Sequence, residues 1–172
     1  MGDRGADPSK IARMAQGPEV VQGGRAQGAG LRPGALLEHE LGDVAIVLHD
    51  LRVPGSRSSI DHVVVAPSGV WVVDSTWRSG MRLDPDASGE IASLEAMERR
   101  VGVVAAAVGR AREVSIRAAL CFDAAHWGCA PQPFWIEGVL ITHPEDLAAR
   151  IRADGPLDEE TIGWIAARLA LA

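Results

Sequence analysis

Hydrophobic and polar residues along the chain form two β-branched runs, at residues 60–65 and 70–73, separated by Pro67, Ser68 and Gly69. Strand-favouring residues on both sides of turn-favouring residues predict a β-hairpin. Both faces of each predicted strand are apolar. We therefore expect the hairpin to lie inside a sheet that is covered on both sides.

The rest of the pattern alternates between helix and strand signals. Apolar residues three and four apart predict helices over residues 34–41, 91–112 and 158–171, and a helix-start signature at residues 142–145 predicts another over residues 144–152. Further strands are predicted over residues 44–48, 81–83, 116–122 and 136–141. This order predicts an α/β fold with a mixed central sheet flanked by helices. Residues 1–33 are rich in Gly and lack periodicity, so they are predicted to be a disordered tail before a single domain over residues 34–172.

Two carboxylates interrupt the apolar hairpin: Asp61 near the start of its first strand and Asp74 at the end of its second. A carboxylate on a buried strand is costly unless its charge is compensated. Side chains repeat every second residue, so Asp74 and Thr76 share a face. A connection of two or four residues places Asp61 on that face as well, whereas three residues would separate the two acids. We predict the even-length connection.

Composition narrows the class of protein. Apolar residues make up 47% of the sequence, and the formal net charge is −6, which gives no strong overall attraction to nucleic acid or anionic lipid. Two cysteines, no secretory segment and no long apolar span predict a cytoplasmic protein without a membrane partner. Cys121, His126 and Cys129 are three candidate zinc ligands, but a structural zinc site uses four, so we predict that both cysteines are thiols.

The hairpin also carries a family resemblance. The run Ile-Asp-His-Val-Val-Val at residues 60–65, with Pro-Ser-Gly-Val at 67–70 and Val-Val-Asp at 72–74, resembles the core of the nuclease-related domain, NERD. The likeness covers roughly residues 28–170. It implies a branch of the PD-(D/E)xK nuclease superfamily, with a restriction-endonuclease-like fold built on an αβββαβ core. The predicted order of helices and strands fits that core independently.

The resemblance implies a Mg²⁺ or Mn²⁺ site at Asp61 and Asp74, since clustered carboxylates hold such ions and the ion activates water for phosphodiester cleavage. The family adds a metal-binding glutamate from the opening helix, for which Glu38 is the best candidate. If the alignment instead starts at Gly28, that position falls near Leu31 and the glutamate is absent. An exposed helix glutamate is then the alternative interpretation of Glu38.

One position departs from the family. Its second motif is an acidic residue, any residue and then lysine, and Thr76 stands in the lysine position, while Lys10 is the only lysine in the chain. Threonine donates a hydrogen bond but carries no charge. Arg78 shares the face of Asp74 if the strand continues, and Arg57 lies in the preceding loop. Either guanidinium could stabilise developing charge, but neither can act as a base.

These residues leave more than one function open. The resemblance implies weak or degenerate metal-dependent hydrolysis of DNA or another nucleic acid. The alternative is a non-catalytic module that binds nucleic acid or a protein, and a third hypothesis is a scaffold. The two acids could also be structural, balanced by backbone amides and arginines. Three further features also have a purely structural interpretation. His62 can be a core histidine, and Trp127 and Trp135 can serve in packing. The remaining arginines near the site can simply balance charge: Arg52, Arg57, Arg78 and Arg82.

Overall fold

The computed structural model describes residues 32–76, 94–109, 114–122 and 133–172. Nearly all of the predicted tail and all of the strand predicted at residues 81–83 lie outside these ranges. The described helices are α1 (Pro33–Leu41), α2 (Leu94–Val108), α3 (Pro144–Ile151) and α4 (Glu159–Ala170). The described strands are β1 (Ile46–Arg52), β2 (Ser59–Ala66), β3 (Gly69–Thr76), β4 (Ile116–Phe122), β5 (Phe134–Ile136) and β6 (Val139–Thr142).

These strands form one mixed sheet in the order β1-β2-β3-β4-β6-β5. The first three strands pair antiparallel, β4 is parallel to both β3 and β6, and β5 is antiparallel to β6. Parallel neighbours need a crossover, and α2 lies on the crossover between β3 and β4. The predicted α/β fold and its αβββαβ order are confirmed, and the arrangement is consistent with a restriction-endonuclease-like fold.

Helices cover both faces of the sheet. Val63 and Val65 of β2 belong to one apolar cluster with α2 and α4. Val64 and Ala66, which point the other way, belong to a second cluster with α1 and α3. The predicted burial of the hairpin on both sides is therefore confirmed. Within the described ranges, no helix combines the length and apolar character needed to cross a bilayer.

The C-terminal half contains one wrong prediction. The pattern at residues 136–141 predicts a single strand, but the structure has a turn there between β5 and β6. Glu137 and Gly138 form this turn, with φ angles of 48° and 80°. Two successive positive φ values are typical of a tight two-residue hairpin turn. The Glu-Gly pair was therefore a turn signal inside an otherwise apolar run.

Candidate active site

The register of the β2–β3 hairpin brings the two predicted acids together. The strands are joined by the two residues 67–68, and His62 pairs with Val73. The next cross-strand position in the same register is Asp61 opposite Asp74. Directly opposed residues of antiparallel strands point to the same face. The predicted even-length connection is confirmed, and it produces a carboxylate pair.

Each carboxylate of the pair has a different partner. An oxygen of Asp61, Oδ2, accepts hydrogen bonds from the backbone N–H of Ser75 at 3.0 Å and from its hydroxyl at 3.2 Å. Oδ2 of Asp74 accepts from Nη1 of Arg100 at 2.5 Å. The side chains of Asp74 and Arg100 are each only 18% exposed. The pair is thus held from β3 on one side and from α2 on the other.

The two acids also act on each other. Burial, followed by the charge of Asp61 and a hydrogen bond with it, raises the pKa of Asp74 from 3.8 to about 6, although Arg100 works in the opposite direction. Two carboxylates face one guanidinium, so one negative charge remains uncompensated when both acids are ionised. A divalent cation would relieve this charge, and Mg²⁺ or Mn²⁺ is commonly held by one or two carboxylates with waters completing the shell. The residues present fit such an ion.

Arg100 belongs to this site, although the sequence does not predict it there. It lies in α2, three residues after Met97, whose sulfur contacts Nη1 of Arg100 at 3.8 Å. Met97 is fully buried, so the spacing of three indicates that Arg100 turns toward the sheet. The neighbouring Arg99 is 72% exposed and faces Glu95 on the outer surface. The signal in the sequence was the position of Arg100 beside the apolar stripe of the helix.

Glu38 is not brought to the carboxylate pair. It accepts a hydrogen bond from Nε2 of His49 at 2.8 Å, and Nδ1 of His49 lies 2.8 Å from Nδ1 of His62. His62 follows Asp61 in β2 and faces α1, on the opposite side of the sheet from α2. Burial, and then the charge of His49, lower the pKa of His62. The sheet face covered by α1 and α3 therefore carries a hydrogen-bonded chain of Glu38, His49 and His62, which we call the Glu–His–His chain.

The other predicted site residues make no described contact with the carboxylate pair. Thr76 is the last residue of β3, two positions after Asp74. Arg78 lies outside the described residues, and Arg57 is exposed in the loop between β1 and β2. Of the aromatic candidates, Trp135 is 50% exposed on β5. Three more candidates, His126, Trp127 and Cys129, also lie outside the described residues, as does Arg82.

The described residues contain no group of three or more His, Cys, Asp and Glu side chains that could hold a metal ion. Cys121 is a buried thiol in β4. Nothing in these residues therefore adds a third protein ligand to Asp61 and Asp74. An ion at the pair would depend on water or a substrate oxygen for the rest of its shell.

The hairpin, the carboxylate pair and the first long helix lie within one recognisable segment. Residues 31–107 match the family model of the nuclease-related domain, NERD. The resemblance predicted from the sequence is thereby confirmed for this segment, which we call the NERD segment. It begins just before α1 and ends near the last residue of α2, so it contains Asp61, Asp74 and Arg100. No curated protein and no solved structure matches the chain.

Proposed function

We propose that the NERD segment binds Mg²⁺ or Mn²⁺ at Asp61 and Asp74 and hydrolyses phosphodiester bonds in nucleic acid weakly. The observation that carries this proposal is the pair of facing carboxylates, with a pKa of Asp74 raised to about 6. Two acids that oppose each other at a cost in charge repulsion are typical of a functional site rather than of a strand selected for stability. The family match supports a nuclease-related function, and the PD-(D/E)xK assignment is part of the proposal.

The residues of the chain have distinct roles in this proposal. A bound ion would polarise the phosphate and lower the pKa of the attacking water. Ser75 orients Asp61 through two hydrogen bonds to Oδ2, so that Asp61 can serve as one ligand. Asp74, with its pKa near 6, is mostly ionised at neutral pH and can serve as the second ligand.

Weak hydrolysis follows from the departures of this chain from the family motif. Thr76 brings no positive charge to the position where the family has lysine. Arg100 offers a charge from another element, but its guanidinium cannot accept a proton from water at neutral pH. We therefore expect stabilisation of charge at the site without efficient activation of the nucleophile.

A second candidate function is a non-catalytic module that binds nucleic acid or a protein. The 2.5 Å contact between Arg100 and Asp74 favours it, since the guanidinium already neutralises part of the charge that would hold a metal. The formal net charge of −6 argues against broad electrostatic binding of nucleic acid. Binding in this case would depend on local arginines and would fall steeply as salt is added.

Cleavage of labelled single-stranded DNA, double-stranded DNA and RNA tests the proposal. Wild type, Asp61→Asn and Asp74→Asn are compared with Mg²⁺, with Mn²⁺ and with a chelator, and Asp146→Asn on the exposed surface of α3 is the matched control. We expect slow metal-dependent cleavage by wild type and the control, and a loss of about tenfold or more in the two site variants. Absence of cleavage in wild type, or equal cleavage by Asp74→Asn, would favour the binding module.

A further inference from the structure

Arg100 is held at the carboxylate pair more firmly than a surface arginine. Its guanidinium lies 2.5 Å from Asp74, and both side chains are 18% exposed. The sulfur of Met97 packs against the same nitrogen at 3.8 Å. The ion pair between Arg99 and Glu95 on the same helix is different, since its atoms are 4.0 Å apart and the side chains are 72% and 89% exposed.

The position of this guanidinium conflicts with that of a metal ion. A divalent ion held by Asp61 and Asp74 needs an oxygen of Asp74, but Oδ2 is occupied by Arg100 and the same carboxyl group also shares a hydrogen bond with Asp61. An ion close to the guanidinium would also be repelled, and this repulsion is strong in a partly buried site because little water screens it. The pair of acids thus offers one position for positive charge to two competing cations.

We propose that Arg100 occupies the cation position of the Asp61–Asp74 site and that a divalent ion binds there only by displacing the guanidinium from Asp74. This inference rests on the proposed metal site and adds an internal competitor to it. Arg100 then sets the metal affinity and is a positioning residue for Asp74. The competitor comes from α2 and not from the motif strand, where Thr76 carries no charge.

Isothermal titration calorimetry of the full chain with Mn²⁺ tests the competition. The variants are Arg100→Gln, which removes the charge, and Arg100→Lys, which keeps it, and Arg99→Gln is the matched control on the exposed face of the same helix. We expect Arg100→Gln to bind Mn²⁺ about tenfold or more tightly than wild type, because a like charge beside the ion is gone. Arg100→Lys and Arg99→Gln should stay close to wild type.

A second measurement needs no destabilising variant. In wild type, the NMR signals of the Arg100 guanidinium, assigned by their loss in Arg100→Lys, should move toward those of a solvated arginine as Mg²⁺ is added. Binding of Mg²⁺ without movement of these signals would overturn the inference. If circular dichroism shows that Arg100→Gln does not fold, this NMR measurement on wild type still tests the displacement.

The outcomes separate the inference from the proposed function. If wild type and Arg100→Gln bind Mn²⁺ equally, displacement is wrong while the metal site stands. If only Arg100→Gln binds Mn²⁺, and adding Asp74→Asn to it abolishes binding, Arg100 occupies the cation position as proposed and metal-dependent catalysis by wild type is refuted. If neither protein binds, the metal site fails and the inference falls with it.

Discussion

Asp74 is expected to destabilise the folded protein at neutral pH. Burial and the neighbouring Asp61 raise its pKa from 3.8 to about 6. In the unfolded chain the carboxyl group has its ordinary pKa, so the folded state binds more protons between these two values. The free energy of unfolding therefore falls as the pH rises from about 3.8 to about 6, and Asp74 causes no further change above that range.

The size of the effect follows from the pKa. A rise from 3.8 to about 6 corresponds to about 3 kcal/mol. Because Asp74 keeps some contact with water, screening reduces this to about half, roughly 1.5 kcal/mol. Asp74→Asn removes the titrating group and changes the shape of the side chain little. The free energy of unfolding of the variant, relative to wild type, should rise by about 1 kcal/mol between pH 4.5 and pH 8.

Urea denaturation at a series of pH values measures this difference, and the titrating groups that do not interact with Asp74 cancel between the two proteins. The exposed Asp146→Asn variant should show no such trend. In an Asp61→Asn background the trend should shrink, because the repelling charge is absent. A difference that is independent of pH, or that favours wild type as the pH rises, would show that attraction to Arg100 outweighs burial and would refute the reasoning.

Three further predictions concern the motif position and the helices. Thr76→Lys should increase Mg²⁺-dependent cleavage about tenfold in the nucleic-acid assay, and no increase would show that the missing lysine is not what limits the reaction. Gly34→Ala should destabilise the protein by about 1–3 kcal/mol in urea denaturation, since the added Cβ would lie 2.7 Å from the ring of His62. The control Gly102→Ala in α2, which has open space around it, should stabilise the protein by about 0.5–1 kcal/mol. Asp158→Ala removes the side chain that caps α4 by accepting a hydrogen bond from the backbone N–H of Thr161. Thermal denaturation should show that the free energy of unfolding falls by about 1 kcal/mol. An unchanged stability would mean that water replaces the cap.

The hairpin could be predicted from the sequence because its signals are local. Each strand is a β-branched run, and the turn residues lie directly between the two runs. Once the connection has two residues, the alternation of side chains fixes which residues share a face. The opposition of Asp61 and Asp74 therefore required only an even-length turn. The residues beside this pair were harder to predict because they come from other elements.

Arg100 illustrates that difficulty. It forms its ion pair with Asp74 across a separation of 26 residues, and the contact exists only because α2 packs on that face of the sheet. From sequence, Arg99 and Arg100 have the same chemistry, and the rotation of the docked helix decides which one faces the site. The sequence predicts Arg57 and Arg78 at the site only because they lie close to the two acids along the chain. Closeness in the chain is a poor guide once a crossover helix covers the strand.

Glu38 shows the same effect on the opposite face. The resemblance assigns it to the metal site, but α1 packs against the side of the sheet that His62 faces, and Glu38 is engaged with His49 there. Adjacent residues of β2 thus lie on different faces of the sheet. Asp61 interacts with Asp74 near Arg100, while His62 belongs to the Glu–His–His chain. Moving Glu38 to the acids would break that chain and carry the glutamate across the sheet. The charge of the acid pair is instead balanced in part from α2, and under the proposed competition this makes Arg100 the residue that sets the metal affinity.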